Sequence, residues 1–437
     1  MRVLSWSNFI HQPSGYGVVQ RNVLPYIQEN SSHEVVQLAQ SGVQNSMPFE
    51  VHGIKVYPSS FKAGRLSCAD VPPVVEREDI DLVLPQLDLW ANSENVVKTI
   101  QAVDVPVVPY APIHTDPLAP NWHTILNEVN AVIPYCEFGE RVIKTGDIDE
   151  EAVLDPIYHG VDSETFHPLD DGDVTVVDIP EDTFVVGLFK NLQGTRAAHE
   201  RMIRAFASFL DHDSVDDAML YVHCAKTPKD SWEIEHLIER AGLDEQVMMP
   251  AEAEYLWGMP EAGLNQMYNA CDVLLNTVRT EGFGLPILEA AAAGVPAIGG
   301  AFSAMPELIA GQEGEVRYDE MPAAAMGDDG GVISADRGWL VPTWDREMTT
   351  GKHAPRRRYN VKHIANALLH VYRNPDETAE CGAAAREFAV QHSWADKAEQ
   401  FIDVFDAIED GALDADTEDG SVASDVEKRL SNLGYTG

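Results

Sequence analysis

Two glutamates in the segment from Cys271 to Gly300, CDVLLNTVRTEGFGLPILEAAAAGVPAIGG, have a spacing that suits a ligand carrying both hydroxyl groups and phosphates. The apolar run Asp272–Asn276 reads as a buried strand. It leads into a loop containing Glu281, Gly282, Phe283, Gly284 and Leu285, and a helix then opens with Pro286 in its first turn, where a missing N–H costs nothing. Gly282 and Gly284 permit unusual backbone angles and let a ligand approach the chain closely. The free N–H groups of the helix start make an anion site. Glu289 follows one turn into the helix. Carboxylates accept from sugar hydroxyls, while the amides and the helix dipole take negative charge. A plain strand–turn–helix with a capping carboxylate would account for Glu289 alone, but not for the whole frame.

Three further stretches carry residue types of interest. In VGLFKNLQGTRAAHERMIRAF, Lys190 and Arg196 flank a glycine-containing loop, in a chain poor in lysine. Arg binds phosphate as a planar fork and Lys as a point charge, so their order matters. The alternative is two surface cations at a helix start. Gly15 and Gly17 follow the first strand and precede a helix; alone, this Gly-x-Gly reads as a tight turn. His114 and Asp116 follow a strand end, where open α/β sheets place their ligand chemistry. Either could instead be a turn or cap residue, and the sequence does not choose between them.

The frame Glu281-Gly282-Phe283-Gly284-Leu285-Pro286-Ile287-Leu288-Glu289-Ala290, followed by Gly294-Val295-Pro296, resembles the donor-site signature of retaining glycosyltransferases of family 4 (glycosyl transferases group 1). In that family the first Glu contacts the transferred sugar and the second the nucleotide's ribose, which implies these roles for Glu281 and Glu289. An Arg and a Lys after the first strand of the donor domain bind the diphosphate; Lys190 and Arg196 stand there in reversed order. The loop at Gly15 and Gly17 would face the donor phosphates across a cleft, and His114 or Asp116 would touch the sugar near its reacting carbon. The resemblance covers roughly Met1 to Ile408 and is strongest over Leu264–Gly300. It implies an α/β fold of GT-B architecture, with two Rossmann-like domains whose parallel sheets face each other across the cleft. The implied reaction moves a sugar from a nucleotide-diphosphate sugar to an acceptor hydroxyl of a glycan, glycolipid or glycoprotein with retention, without cofactor or divalent metal. The alternative is an inactive glycosyltransferase-like scaffold or sensor that binds nucleotide sugar without turnover.

The elements that must position these residues alternate short apolar runs with helix-length amphipathic stretches, the pattern of parallel α/β domains. Strands are expected at Val3–Ser7, Glu34–Leu38, Ile54–Tyr57, Leu82–Leu84, Val105–Pro109, Ala131–Pro134 and Val153–Ile157. A second series begins with a strand at Thr183–Leu188 and a helix at Ala197–Leu210. The domain reading is 1–168 for the acceptor domain, 169–182 for an acidic linker and 183–392 for the donor domain. A helix over 393–409 crosses back to the first domain, and 410–437 is an acidic tail. The family resemblance extends to Leu264–Asp272, which resembles the entry to the donor site and implies packing, and to His159–Asp162 with Phe166 and Pro168, which resembles an interdomain hinge; Val247–Pro250, at a strand end, reads as the nucleobase pocket. The pairs Asp79/Asp81, Asp147/Asp149 and Asp171/Asp173 mimic a metal motif, but such pairs arise by chance in so acidic a chain. Arg356-Arg357-Arg358 is the one basic cluster; it reads as an exposed loop, the alternative being contact with a phosphate-bearing acceptor.

Asp plus Glu total 71 against 30 Lys plus Arg, a net charge of −41. Such a repulsive surface is one that concentrated salt would screen, which points to a halophilic source. It argues against nucleic acid, whose binders present basic patches. Five scattered cysteines signal neither a disulfide framework nor a zinc site. No apolar run approaches the ~18 residues of a membrane span. The start runs straight into a strand with no cleavable signal pattern, so the expected location is cytoplasmic.

Overall fold

The structure, a computed structural model of the chain, describes residues 1–45, 47–60, 64–170, 173–175, 179–180, 182–191, 196–224, 233–251, 258–312, 314–320, 330–348 and 354–413. It divides into two compact units. The first holds Met1–Gly160 together with the helix Trp394–Glu409; the second holds Val161–Thr349 and Pro355–Ser393.

The first unit opens with β1 (Arg2–Ser7), α1 (Gly15–Asn30), β2 (Glu34–Ala39), β3 (Phe49–Val51) and β4 (Ile54–Pro58). It continues through α2 (Val71–Glu78), β5 (Leu82–Pro85), α3 (Ser93–Ile100), β6 (Tyr110–Ala111), α4 (Pro120–Leu126), β7 (Ile133–Pro134) and α5 (Glu137–Lys144). Its main sheet runs β3-β4-β2-β1-β5, parallel except for β3. A parallel sheet is covered on both faces, so its central strands bury every residue rather than alternate. In β1, Val3, Leu4 and Trp6 are buried together with Ser5 and Ser7, and the Ser7 hydroxyl donates to the Gln86 carbonyl (2.9 Å). Residues 105–109 contribute only an isolated bridge, Val107 to Val83, and residues 153–157 only the bridge of Val153 to Val132. These two expected strands are therefore edge contacts. Pro106, Pro109 and Pro156 lack the N–H that a longer ladder requires.

The second unit contains β8 (Phe184–Phe189), α6 (His199–Leu210), β9 (Ala218–His223), α7 (Ile234–Ala241), β10 (Val247–Met248) and α8 (Glu261–Asn269). Then come β11 (Val273–Asn276), α9 (Leu285–Ala292), β12 (Ala297–Gly300), α10 (Met305–Ala310), β13 (Ile333–Ala335) and β14 (Gly338–Val341). The hairpin β15 (Asp345–Met348) and β16 (Pro355–Arg358), then α11 (Val361–Arg373) and α12 (Pro375–Ala389), complete it; the final helix α13 (Trp394–Glu409) belongs to the first unit. Among the described residues the sheet order is β10-β9-β8-β11-β12-β14-β13, parallel except for β13. Counted from β8, that is the doubly wound order 3-2-1-4-5-6 of a Rossmann fold with one antiparallel strand added. Residues 161–169 group with this unit. The Val161 N–H donates to the His392 carbonyl (2.8 Å), and His167 N–H donates to Asn265 Oδ1 (3.1 Å).

Candidate functional site

In a doubly wound sheet the winding reverses between the first and fourth strands, and a crevice opens at their carboxyl ends. In the second unit these strands are β8 and β11. Lys190 is the first residue after β8, and Glu281 lies in the loop after β11. The topology therefore brings residues far apart in sequence to one place. The Lys190 ammonium bonds Glu281 Oε2, and Arg196 Nη2 donates to Glu281 Oε1 at 3.2 Å. Arg196 Nε also donates to the Thr280 carbonyl (3.3 Å). The Glu281 N–H donates to Ser303 Oγ (3.0 Å), which fixes the loop from the β12–α10 side. Burial alone would push the Glu281 pKa up. The charges of Lys190 and Arg196, with hydrogen bonds from Lys190 and the Gly282 N–H, outweigh it and hold the carboxyl below its ordinary range. Burial lowers the Lys190 pKa. Glu281 is thus an ionised, buried carboxylate clamped by two cations.

Gly284 adopts φ +113° immediately before α9, a region that L side chains rarely enter. Pro286 stands in the first turn of α9, as the spacing predicts, and Phe283 is buried (3% exposed). Glu289 is reached from an unexpected side. The Tyr268 hydroxyl donates to its Oε2 (2.7 Å), and the Tyr268 ring stacks on Phe189 at 4.2 Å between centroids. Reading Leu264–Asp272 as packing overlooked this contact, because Tyr268 meets Glu289 only through the tertiary fold. Asn276, at the end of β11, and Thr277 and Thr280, in the loop, are each buried, with a side-chain donor or hydroxyl unpartnered among the described residues.

The basic cluster is corrected outright. Arg356–Arg358 form strand β16, paired antiparallel with β15, and Arg356 and Arg357 are 5% and 1% exposed. Arg357 lies over the Phe302 ring (3.9 Å) and donates Nε and Nη2 to the two oxygens of Glu315 (2.9 and 2.8 Å). Period-2 alternation puts Arg356 on the opposite face. Burial, then the charges of Arg196 and Arg279, push the Arg356 guanidinium down to about 10.

The remaining expected site residues lie in the first unit. Ser14 caps α1 by accepting from the Gly17 N–H (3.2 Å), with Gly15 opening the helix. A Cβ on Gly17 would come within 2.1 Å of the Gln12 carbonyl oxygen, so close packing of the loop accounts for this glycine. His114 is buried, with Nδ1 3.0 Å from the Pro112 carbonyl oxygen and its ring edge-on to Trp90. Asp116 accepts from Arg141 Nη1 (3.2 Å). Asp81 accepts from the Arg2 N–H (2.6 Å), while Asp171 lies outside the described residues. A separate group of potential metal-ligand atoms comes from His33, Asp406 and Glu409; the Met1 ammonium lies 2.8 Å from Glu409 and 3.2 Å from His33 Nδ1, and Asp406 lies 3.1 Å from His33 Nε2. Val247–Pro250 includes the edge strand β10, at the far side of the sheet from β11. Among the described residues no helix is long and apolar enough to cross a membrane.

The clamp at the switch point lies within a recognisable segment. Residues 183–327 match the glycosyl transferases group 1 family. Two curated relatives, both D-inositol 3-phosphate glycosyltransferases, align with parts of the chain. The one from Corynebacterium urealyticum is 25% identical over 214 residues, 48% of this chain and 47% of the relative. The one from Kribbella flavida is 29% identical over 167 residues, 37% of this chain and 39% of the relative. The alignments thus span about half or less of those relatives' lengths. Solved structures match nearly end to end. Sucrose-phosphate synthase from Thermosynechococcus elongatus has a TM-score of 0.68 at 15% identity, covering 94% of this chain and 99% of that one. HepE from Anabaena, solved in complex with UDP and glucose, has a TM-score of 0.63 at 17% identity, covering 93% of this chain and 100% of that one. The fold is therefore the α/β, two-domain Rossmann-like architecture of GT-B glycosyltransferases.

Proposed function

We propose that the chain is a glycosyltransferase that transfers a sugar from a nucleotide-diphosphate sugar to an acceptor hydroxyl with retention at the anomeric carbon. The observation that carries this reading is the clamp of Lys190, Arg196 and Glu281 at the switch point of the second unit, inside the Glu281–Glu289 frame. The two cations and the amides opening α9 would take the diphosphate and stabilise its departure, where charge develops on the leaving oxygen. Glu281 would accept from the sugar's hydroxyls, and Glu289, oriented by Tyr268, from the ribose. Gly15 and Gly17 would approach the phosphates, and His114 or Asp116 the reacting carbon. The matched D-inositol 3-phosphate glycosyltransferases and the UDP-bound HepE favour a nucleotide-sugar donor. No divalent metal is assigned a role, because side-chain cations and amides supply the positive charge.

The test is a thermal-shift panel of UDP-, GDP-, ADP- and TDP-sugars, followed by hydrolysis of the best donor. We expect at least one donor to raise the melting temperature, and hydrolysis to vanish in Glu281→Ala. A panel in which nothing binds would overturn the donor site; binding with no hydrolysis or transfer would leave a nucleotide-sugar sensor instead. The charge of −41 favours a cytoplasm rich in potassium salts. A melting temperature that failed to rise between low salt and molar KCl would remove that part.

A further inference from the structure

Beside the clamp, three chain segments bring together more positive charge than the diphosphate needs. The Arg279 N–H donates to the Arg196 carbonyl (3.1 Å), and the Arg357 N–H donates to the Arg279 carbonyl (3.2 Å). The side chain of Arg201 joins them, with Nη1 donating to the Tyr359 carbonyl (3.1 Å). Hence the start of α6, the loop after β11 and strand β16 run side by side. Arg356 lies on the face of β16 opposite Arg357, across the ladder from Glu347. Glu347 is already bonded to Arg279 Nη1 (2.5 Å).

The arginines repel one another. Arg196 and Arg279 lower the Arg356 pKa; Arg358 and Arg279 lower that of Arg201, in each case after burial. The Nε atoms of Arg201 and Arg279 are buried with no hydrogen-bond partner among the described residues. A guanidinium presents its donors in a rigid fork that matches carboxylate and phosphate. Acids outnumber bases by 71 to 30 in this chain, so a cluster of arginines on adjoining segments is unlike the rest of it. Buried charge of one sign is costly unless a counter-charge arrives, and burying donors without acceptors adds to the cost.

We propose that Arg201, Arg279 and Arg356 form a second anion site in the second unit, which binds a carboxylate or phosphate group carried by the substrate in addition to the donor diphosphate. The proposal rests on the donor-site reading above and deepens it by naming a substrate class. The extra anion has two sources, a uronic-acid sugar on the donor or a phosphate on the acceptor. Neither is required for Lys190 and Arg196 to hold a diphosphate.

The experiment is isothermal titration of wild type and Arg356→Gln with UDP, UDP-glucose and UDP-glucuronate, and with a sugar phosphate in saturating UDP. The quantity read is the ratio of affinities for the anionic and neutral member of each pair, glucuronate over glucose donor and sugar phosphate over free sugar. We expect a ratio of about tenfold or more in wild type for one pair, which identifies the source, and a fall towards one in Arg356→Gln. Arg201→Gln, at a less buried position, repeats the test if Arg356→Gln does not fold. Ratios near one in wild type, or a ratio that the variants leave untouched, overturn the proposal. Equal losses for neutral and anionic ligands would make these arginines part of the diphosphate site and overturn it too. If UDP itself fails to bind, the donor reading falls, and titration with inorganic phosphate decides the second site. Heat of binding lost in the variant supports it, and none in wild type refutes it.

Discussion

Replacing Glu281 by Gln should have two effects of opposite sign. Glu281 holds two cations whose side chains, Lys190 and Arg196, are 12% and 19% exposed. Removing one partner of a buried ion pair strands the other charge and costs ~3–5 kcal/mol. The partial exposure of both cations and the amide oxygen kept by Gln place the loss near the lower end, about 3 kcal/mol. For a unit of this size that is a fall in melting temperature of roughly 6–12 °C. The loss carries a pH signature. The folded pKa of Glu281 is depressed, so its stabilisation is full above the ordinary glutamate value and disappears as pH falls through the lower folded value. The second effect concerns ligand. A diphosphate must compete with Glu281 for Lys190 and Arg196, and charge-assisted hydrogen bonds are worth ~1.5–3 kcal/mol each. With the carboxylate gone, UDP should bind Glu281→Gln about tenfold more tightly than wild type, while turnover of a nucleotide sugar is lost. Calorimetry with UDP and a thermal melt on the same samples read both. An unchanged melting temperature together with weaker UDP binding would refute the reasoning, because it would mean that Glu281 does not restrain the cations.

Three other outcomes follow from described contacts. His199 is buried with its pKa pushed down to about 4, so the unfolded chain binds a proton that the fold excludes. Stability should be full above pH 6.5 and fall by about 3 kcal/mol on the way to pH 4, with the slope reduced in His199→Gln; parallel pH profiles of unfolding would contradict this. Tyr268→Phe removes the hydroxyl bonded to Glu289 and should cost about 1 kcal/mol, with KM for the donor rising more than kcat falls. An unchanged KM would remove Tyr268 from the site. Gly17→Ala should destabilise the first unit by ~1–3 kcal/mol, because the Gln12 carbonyl cannot yield to a methyl group 2.1 Å away; denaturant titration checks it, and a neutral result would show that the loop shifts freely.

Much of the architecture was legible because parallel α/β sequence announces itself. The apolar runs at Val3–Ser7 and Thr183–Leu188 mark β1 and β8 to within a residue, and the helix expected over Ala197–Leu210 ends where α6 does. Local chemistry also transferred well. Gly284 takes the positive φ, and Pro286 takes the first turn of α9. What failed to transfer depends on the register between distant segments. Strand β16 is hidden because both of its faces carry arginine, so no hydrophobic period marks it. The Tyr268–Glu289 contact and the clamp on Glu281 join residues from different elements, and no spacing rule reports such pairs. At Gly17 the fold adds a requirement that the sequence does not report: contact with the Gln12 carbonyl already demands a glycine.

The last helix has a consequence for how the chain is made. Helix α13 packs on α1, where Tyr26 donates to Glu399 (2.7 Å), and the amino group of Met1 bonds Glu409 (2.8 Å). The first unit therefore takes strips of its core from segments on either side of the second unit in the sequence. On a ribosome, domains usually fold as units from the N-terminus onward. Here the earlier unit must wait with the α1 surface uncovered until the whole of the later one has been synthesised. The order of completion is the reverse of the order of synthesis, and translation arrested before Trp394 would leave the first unit unfinished beside a second unit whose own residues are all present.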